Sequence, residues 1–228
     1  MTFEPAMHVH PEGGSAAARH GALPINLDGD TVSIAQTLIS SRQNVSPKRL
    51  VEPGPSARQL DELFALAAAA PDHGRLTPWR FVIVPQEKRC LLAEVFGLAL
   101  IDRDPGATLL QIEAAREKAH RAPLLMLAVA RLVSEQEPEI PNFERIVSLG
   151  CAVQNLLLGA HAMGFGSGLT SGQAMTSKRL RDLFELGDDE AAVCFVNVGS
   201  VGKQKPARVR HAPDRFVSTL QTVTAPAG

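Results

Sequence analysis

Net charge, cysteine and long apolar runs are all scarce in this chain, and each scarcity argues against a class of protein. The 228 residues carry 23 Lys and Arg against 24 Asp and Glu, a net charge of −1. No basic stripe of the kind that tracks a phosphate backbone is present, which argues against nucleic acid as a partner. The three cysteines, Cys90, Cys151 and Cys194, stand in apolar contexts without C-x-x-C spacing. They read as buried free thiols in a reducing cytoplasm, not as a disulfide framework or a zinc ribbon. The most apolar long segment, around Leu149 to Phe165, is broken by Gln154, Asn155 and His161 and falls short of a membrane span. The opening residues, MTFEPAMHVHPEGGSAAARHG, lack the apolar core of a signal peptide.

What is present organises the chain as a flexible arm over residues 1–30, rich in Gly, His, Pro and Ala without a period, and a single domain over residues 31–228. Ile34 and Leu38, one helical turn apart with Ser33 as a cap, predict a short helix that ends near Ser40 to Asn44. Ser56 and Gln59 form a capping box ahead of Leu60, Leu63, Phe64 and Ala67, and Pro71 ends that helix. Arg80 to Val84 predicts a buried strand, followed by helical segments at Glu87 to Ile101 and Leu109 to His120. APLLMLAVARL, Ala122 to Leu132, is too continuously apolar for a half-exposed strand and belongs centrally in a sheet covered on both faces. A long helix from Asn142 to Met163 stops at Gly164, GFGSGLTSG reads as a glycine loop, Thr176 caps a further helix, and Ala191 to Gly199 is a third buried strand. The strands are not separated by single regular helices, so helices on both sides of a sheet in irregular order fit better than a doubly wound fold.

Few residues carry an unmistakable chemistry. GFGSGL lacks the third glycine of a dinucleotide loop and follows a helix instead of a strand. No G-x-S-x-G is present to supply a nucleophilic serine, and His73, His120, His161 and His211 are scattered without the spacing of a zinc helix. Asp72 beside His73 is readable as an oriented base or as a turn-forming carboxylate. Arg42, Lys48 and Arg49, among small polar residues, are readable as a charged connector or as an anion grip, to which the tail GKQKPARVR can add a second arm.

Taken in order, the Arg42 segment, EPGP, APDHGRLTPWRFVIV, RAPLLMLAVA and the glycine stretch ending in Thr-Ser-Gly resemble the FMN-dependent nitroreductase family, most closely its short YdjA-type members. The likeness runs from about Ser33 to Phe216. It implies an α+β fold with a central mixed or antiparallel sheet flanked by helices, in an intertwined homodimer with FMN at the subunit interface. It further implies that Ser41, Arg42 and Gln43 grip the FMN phosphate and ribityl chain, and that His73 reaches the flavin of the partner subunit. Leu169, Thr170 and Ser171 then line the ring, one of Lys203, Lys205 or Arg208 completes the phosphate site, and Trp79 is a packing residue. The implied reaction moves a hydride from NADH or NADPH through flavin N5 to nitroaromatic, quinone or other electron-poor acceptors, with no metal and no protein nucleophile. Such a flavin carries the chemistry itself, and the protein supplies binding and orientation. The resemblance also has departures: Ser41-Arg42-Gln43 replaces an Arg-Arg-Ser pattern, Ala69 replaces an arginine, and Leu169-Thr170 replaces Trp-Arg. The alternative they raise is a non-catalytic flavin- or small-ligand-binding protein of the same fold.

Overall fold

Residues 29–132, 140–203, 206 and 209–220 are described by a computed structural model. Of the proposed arm over residues 1–30, residues 1–28 lie outside them, and the last two already belong to the first helix, which begins at Gly29. The helices are α1 Gly29–Ser41, α2 Ala57–Ala68, α3 Arg89–Arg103, α4 Leu109–Arg116, α5 Asn142–Ala162 and α6 Lys178–Leu183. The strands are β1 Leu50–Val51, β2 Trp79–Ile83, β3 Leu124–Arg131, β4 Gly166–Thr170 and β5 Glu190–Val201.

All five strands pair antiparallel, as the resemblance implied. β3 lies between β2 and β5, and the long β5 gives its other edge to β4 and then β1. The apolar run predicted to be central is therefore central, and its pleat shows why it does not alternate with polar residues. Met126, Ala128 and Ala130 face a core with Leu63, Ala67, Leu149, Ala152 and Leu156 of α2 and α5. Leu125, Leu127 and Val129 face the opposite core, with Leu92 of α3, Leu180 of α6 and Phe195. Both pleat faces meet helices, so both must be apolar. Trp79 packs in the first of these cores.

The capping box is present: Ser56 Oγ accepts from Gln59 N–H and the Gln59 side chain accepts from Ser56 N–H. Two other caps differ from expectation. Ser33 is inside α1 and donates to Gly29 O at 3.5 Å, because the helix starts a turn earlier. Ser177, not Thr176, caps α6, since Thr176 belongs to the tight turn before it. Gly164 ends α5 with a φ of 86°, a conformation that favours glycine. The thiols also divide: Cys194 is buried, with its pKa pushed up to about 11 by desolvation, Cys151 is intermediate, and Cys90 is exposed. The buried reading fails for Cys90 because it lies near the start of α3 on the solvent side, next to a cleft.

A forked ion pair ties β2 to the start of β5. Arg80 Nε and Nη2 donate to the two carboxylate oxygens of Glu190 at 2.6 and 2.7 Å, and Gly187 N–H adds a third bond to Glu190 Oε2. The hydrogen bonds from Arg80 hold the Glu190 carboxyl below the ordinary glutamate range. The unfolded chain thus takes up this proton more readily than the folded one. The pair's stabilisation is whole above the unfolded glutamate pKa and is lost as pH falls through the depressed folded one. Between about pH 5 and pH 3, the parent protein should lose more stability than Glu190→Gln, as read by urea midpoints. Parallel pH profiles would show that the pair contributes nothing of this kind.

Candidate functional site

The end of α1 delivers Ser41, Arg42 and Gln43 to a cavity of about 290 Å³ walled by the last turn of α5, the start of β4 and the end of β5. Arg49 and Lys203 also line it, and among its described lining residues there is no carboxylate. Arg42 of the segment and Lys203 of the tail are thus brought to one cavity. Lys48 is not among the lining residues. Lys205 and Arg208, the other tail choices, lie outside the described residues.

Arg42 is the most informative group. Its Nε is buried and has no hydrogen-bond partner. Burial first, and then the Arg210 charge, pushes its pKa below the ordinary arginine value. Arg210 itself donates through Nη2 to the Arg42 carbonyl at 2.6 Å. A desolvated guanidinium without a counter-charge, backed by a second cation, is costly unless an anion joins it. Ser167, only 2% exposed, lines the same cavity with an unpartnered Oγ. A phosphate group, with three acceptor oxygens and a double negative charge, fits both unmet donors.

The glycine stretch is not a loop. Gly166–Thr170 is strand β4, hydrogen-bonded to β5 on one edge. On the other edge the segment after Gln43 docks onto it: Val45 N–H donates to Ser167 O at 2.8 Å, and Leu169 N–H donates to Asn44 Oδ1 at 3.2 Å. The free backbone N–H groups expected of a loop are thus taken, at least at Leu169. The reason for Gly168 is close approach, because a Cβ there would overlap the Val45 carbonyl oxygen. Leu169, Thr170 and Ser171 continue from the cavity along β4 and beyond it, all exposed. Buried Asn197 holds Thr170 in place, donating from Nδ2 to Thr170 Oγ1 at 3.1 Å.

The APDH turn resolves in favour of structure for Asp72. Its two carboxylate oxygens accept from Leu76 N–H at 3.1 Å and Thr77 N–H at 2.7 Å. Those bonds close a turn in which Gly74, Arg75 and Thr77 all have positive φ. His73 is not paired with Asp72; its Nδ1 lies 2.8 Å from Glu144 Oε2 in the first turn of α5. His73 is also not among the residues lining the Arg42 cavity.

Two residues of this neighbourhood escaped the sequence reading. Arg210 was one basic residue among several in the tail. His161, whose Nε2 lies 2.7 Å from Ser41 Oγ, looked like a polar interruption of an apolar helix. A larger cleft of about 730 Å³ lies between α3 and α4, beside Cys90 and His120. Arg116 is paired there to Glu94 and Glu113 at 2.9 and 2.6 Å, although its Nε is buried without a partner.

Comparison with known proteins bears on this geometry. The profile of the nitroreductase family matches residues 46–200. A Haemophilus influenzae protein named "Putative NAD(P)H nitroreductase" is 33% identical over 174 residues, 76% of this chain and 91% of that protein. YdjA of Escherichia coli, under the same name, is 32% identical over 166 residues, 73% of this chain and 87% of that one. Among solved structures, a variant of NfnB from Sphigopyxis sp., an FMN and NADPH-dependent nitroreductase, superimposes with a TM-score of 0.65. That match covers 82% of this chain and 99% of the other at 15% identity, which speaks for the fold.

Proposed function

Because the chain belongs to the nitroreductase family, an oxidoreductase family, we propose that it binds FMN and passes reducing equivalents from NADH or NADPH to nitroaromatic, quinone or other electron-poor acceptors. The observation that carries this reading is the buried, unpartnered Arg42 Nε in a cavity whose described lining residues include cations and no carboxylate. NAD(P)H is in the names of the two relatives, and FMN and NADPH in that of NfnB. When bound, FMN supplies the redox chemistry, accepting a hydride from the nicotinamide and giving electrons to the acceptor.

The chain's own residues then bind and orient. Arg42 and Lys203 neutralise the phosphate, with Ser41, Gln43 and the Ser167 hydroxyl as further polar contacts, and Lys205 and Arg208 remain candidates from the tail. Leu169, Thr170 and Ser171 border the ring, and Asn197 keeps Thr170 in register through the bond described above. The working unit is a homodimer. Helix α1 buries no residue within its own chain, and Val32 and Ile34 are 59% and 66% exposed. Phe143 and Val147 of α5 are equally uncovered, at 69% and 62%. A thirteen-residue helix that buries nothing is marginal by itself, so a second subunit supplies its packing. In such a dimer His73, outside its own chain's cavity, serves the partner's site. Three free cysteines, one of them exposed, suit a reducing cytoplasm.

The test is the visible spectrum of the purified protein after FMN addition and desalting, followed by anaerobic NADH or NADPH. A flavin spectrum that bleaches, and returns when an electron-poor aromatic is added, supports the proposal; a colourless protein overturns it. Flavin that is retained but never bleaches supports the non-catalytic alternative, for which Leu169-Thr170 at the ring position speaks. Arg42→Ala should weaken FMN binding by about tenfold to a hundredfold, the worth of a charge-assisted hydrogen bond of about 1.5 to 3 kcal/mol. Equilibrium dialysis reads this directly, and an unchanged flavin content would move the phosphate elsewhere.

A further inference from the structure

Resting on the FMN reading above, we infer that His161 belongs to the phosphate site as a positioning residue, acting by setting the direction of the Ser41 hydroxyl. Its Nε2 lies 2.7 Å from Ser41 Oγ, and both side chains line the cavity that holds the unpartnered Arg42 Nε. A serine hydroxyl has a single proton to give. If Nε2 is the acceptor, that proton is spent on the imidazole, and only oxygen lone pairs are left for the cavity, which repel an anion. If Nε2 carries a proton, it donates to Oγ and frees the hydroxyl proton to turn toward the anion. A bound phosphate therefore selects the state with a proton on Nε2.

The neutral ring with its proton on Nε2 and the imidazolium both meet that demand, and the imidazolium alone adds a positive charge, so anion binding and proton uptake at His161 reinforce one another. The lining of the cavity bears on this coupling. The charged groups that share its cavity are Arg42 at the end of α1, Arg49 in the turn before β1 and Lys203 after β5, with Arg210 behind them at the Arg42 carbonyl. Among the described lining residues there is no carboxylate to hold the imidazolium in the anion's place. The charge partner of His161 is then the phosphate itself.

The test compares FMN with riboflavin, which lacks the phosphate, in fluorescence titrations of the full chain at about pH 6 and about pH 8, on the two sides of the range where imidazoles ordinarily change charge. His161→Leu should weaken FMN binding by about tenfold and leave riboflavin binding as it was. His161→Gln, whose amide N–H can still donate to Ser41, should recover most of that loss at the higher pH but lag the parent at the lower one. The phosphate's own titration is common to all these proteins and cancels in the ratio of variant to parent. Ser41→Ala, at an exposed position that threatens no packing, removes the hydroxyl through which the ring acts, so His161→Leu added to it should cost little more. Equal losses of FMN and riboflavin, or full additivity with Ser41→Ala, would each overturn the role of His161, and a His161→Gln ratio that ignores pH would overturn its coupling to proton uptake. A parent protein that binds no FMN at either pH overturns the FMN reading, and this inference with it.

Discussion

Gly168→Ala is expected to cost the protein its flavin while leaving most of the fold in place. The new methyl group would overlap the carbonyl oxygen of Val45 and crowd Asn44 Oδ1 at 3.1 Å. The obstacle is backbone, which cannot swing aside as the end of a side chain can. The segment of Asn44 and Val45 must therefore lift from β4, breaking the bonds from Val45 N–H to Ser167 O and from Leu169 N–H to Asn44 Oδ1. That segment is continuous with Ser41, Arg42 and Gln43, so the grip moves with it. Overpacking of this kind costs about 1 to 3 kcal/mol, felt mainly where the strand and segment part. Desalting followed by absorbance reads the flavin, and circular dichroism reads the fold. Gly106→Ala, in the turn ahead of α4 with only Asp104 Oδ1 near the added carbon, at 3.4 Å, is the matched control. It should be close to neutral, since the neighbouring atom is the end of an exposed side chain. If Gly168→Ala keeps its flavin as the control does, the close approach does not support the site.

Arg89→Leu should destabilise the protein more than any surface substitution, although Arg89 touches no part of the candidate site. The side chain is 1% exposed and has no carboxylate in direct contact. Its guanidinium instead donates to three carbonyls: Val84 at 2.8 Å, Ala119 at 2.7 Å and Pro123 at 3.2 Å. It thereby joins the end of β2, the start of α3 and the turn that leads from α4 into β3. Burial pushes its pKa down, the cost of holding a charge there, and three charge-assisted bonds offset that cost. Leucine would fill part of the volume but strip the carbonyls of Val84 and Ala119 of this donor and leave that of Pro123 only the long bond from Gln86 Nε2 at 3.5 Å. A loss of about 3 kcal/mol or more follows, which for a chain of this size lowers Tm by about 6 to 12 °C. Arg89→Lys should rescue little, since an ammonium cannot reach three directions with a planar fork. Differential scanning calorimetry decides the matter, and a Tm within a degree or two of the parent (on the order of experimental scatter) would mean that the carbonyls find other donors.

Several parts of this protein were legible from the order of its residues. The unbroken apolar run from Ala122 to Leu132 announced a central strand, because a strand needs apolar residues on both faces only when both are covered. Ser56 and Gln59 announced the start of α2, since a capping box is satisfied within four residues and needs no tertiary partner. The Arg42 segment was readable from its composition as an anion grip or as a charged connector, and only the family resemblance chose between them. What these signals share is that their physics is local, or depends only on whether a surface is covered.

The tertiary structure decided the rest, where the deciding partner is distant in sequence. Gly166–Thr170 has poor intrinsic strand character and reads as a loop; it is a strand because β5 pairs with one edge and the segment of Asn44 and Val45 docks on the other. Cys90 looked as buried as Cys194, yet its side of α3 faces solvent. His73 was adjacent to Asp72 in sequence and found Glu144, 71 positions away, because Asp72 was occupied in closing its own turn. His161 met Ser41 across 120 positions, and Arg210 met Arg42 across 168. The residue types at the candidate site were thus present in the sequence from the start, but their convergence on one cavity is a property of how α1, α5, β4 and the tail are packed together.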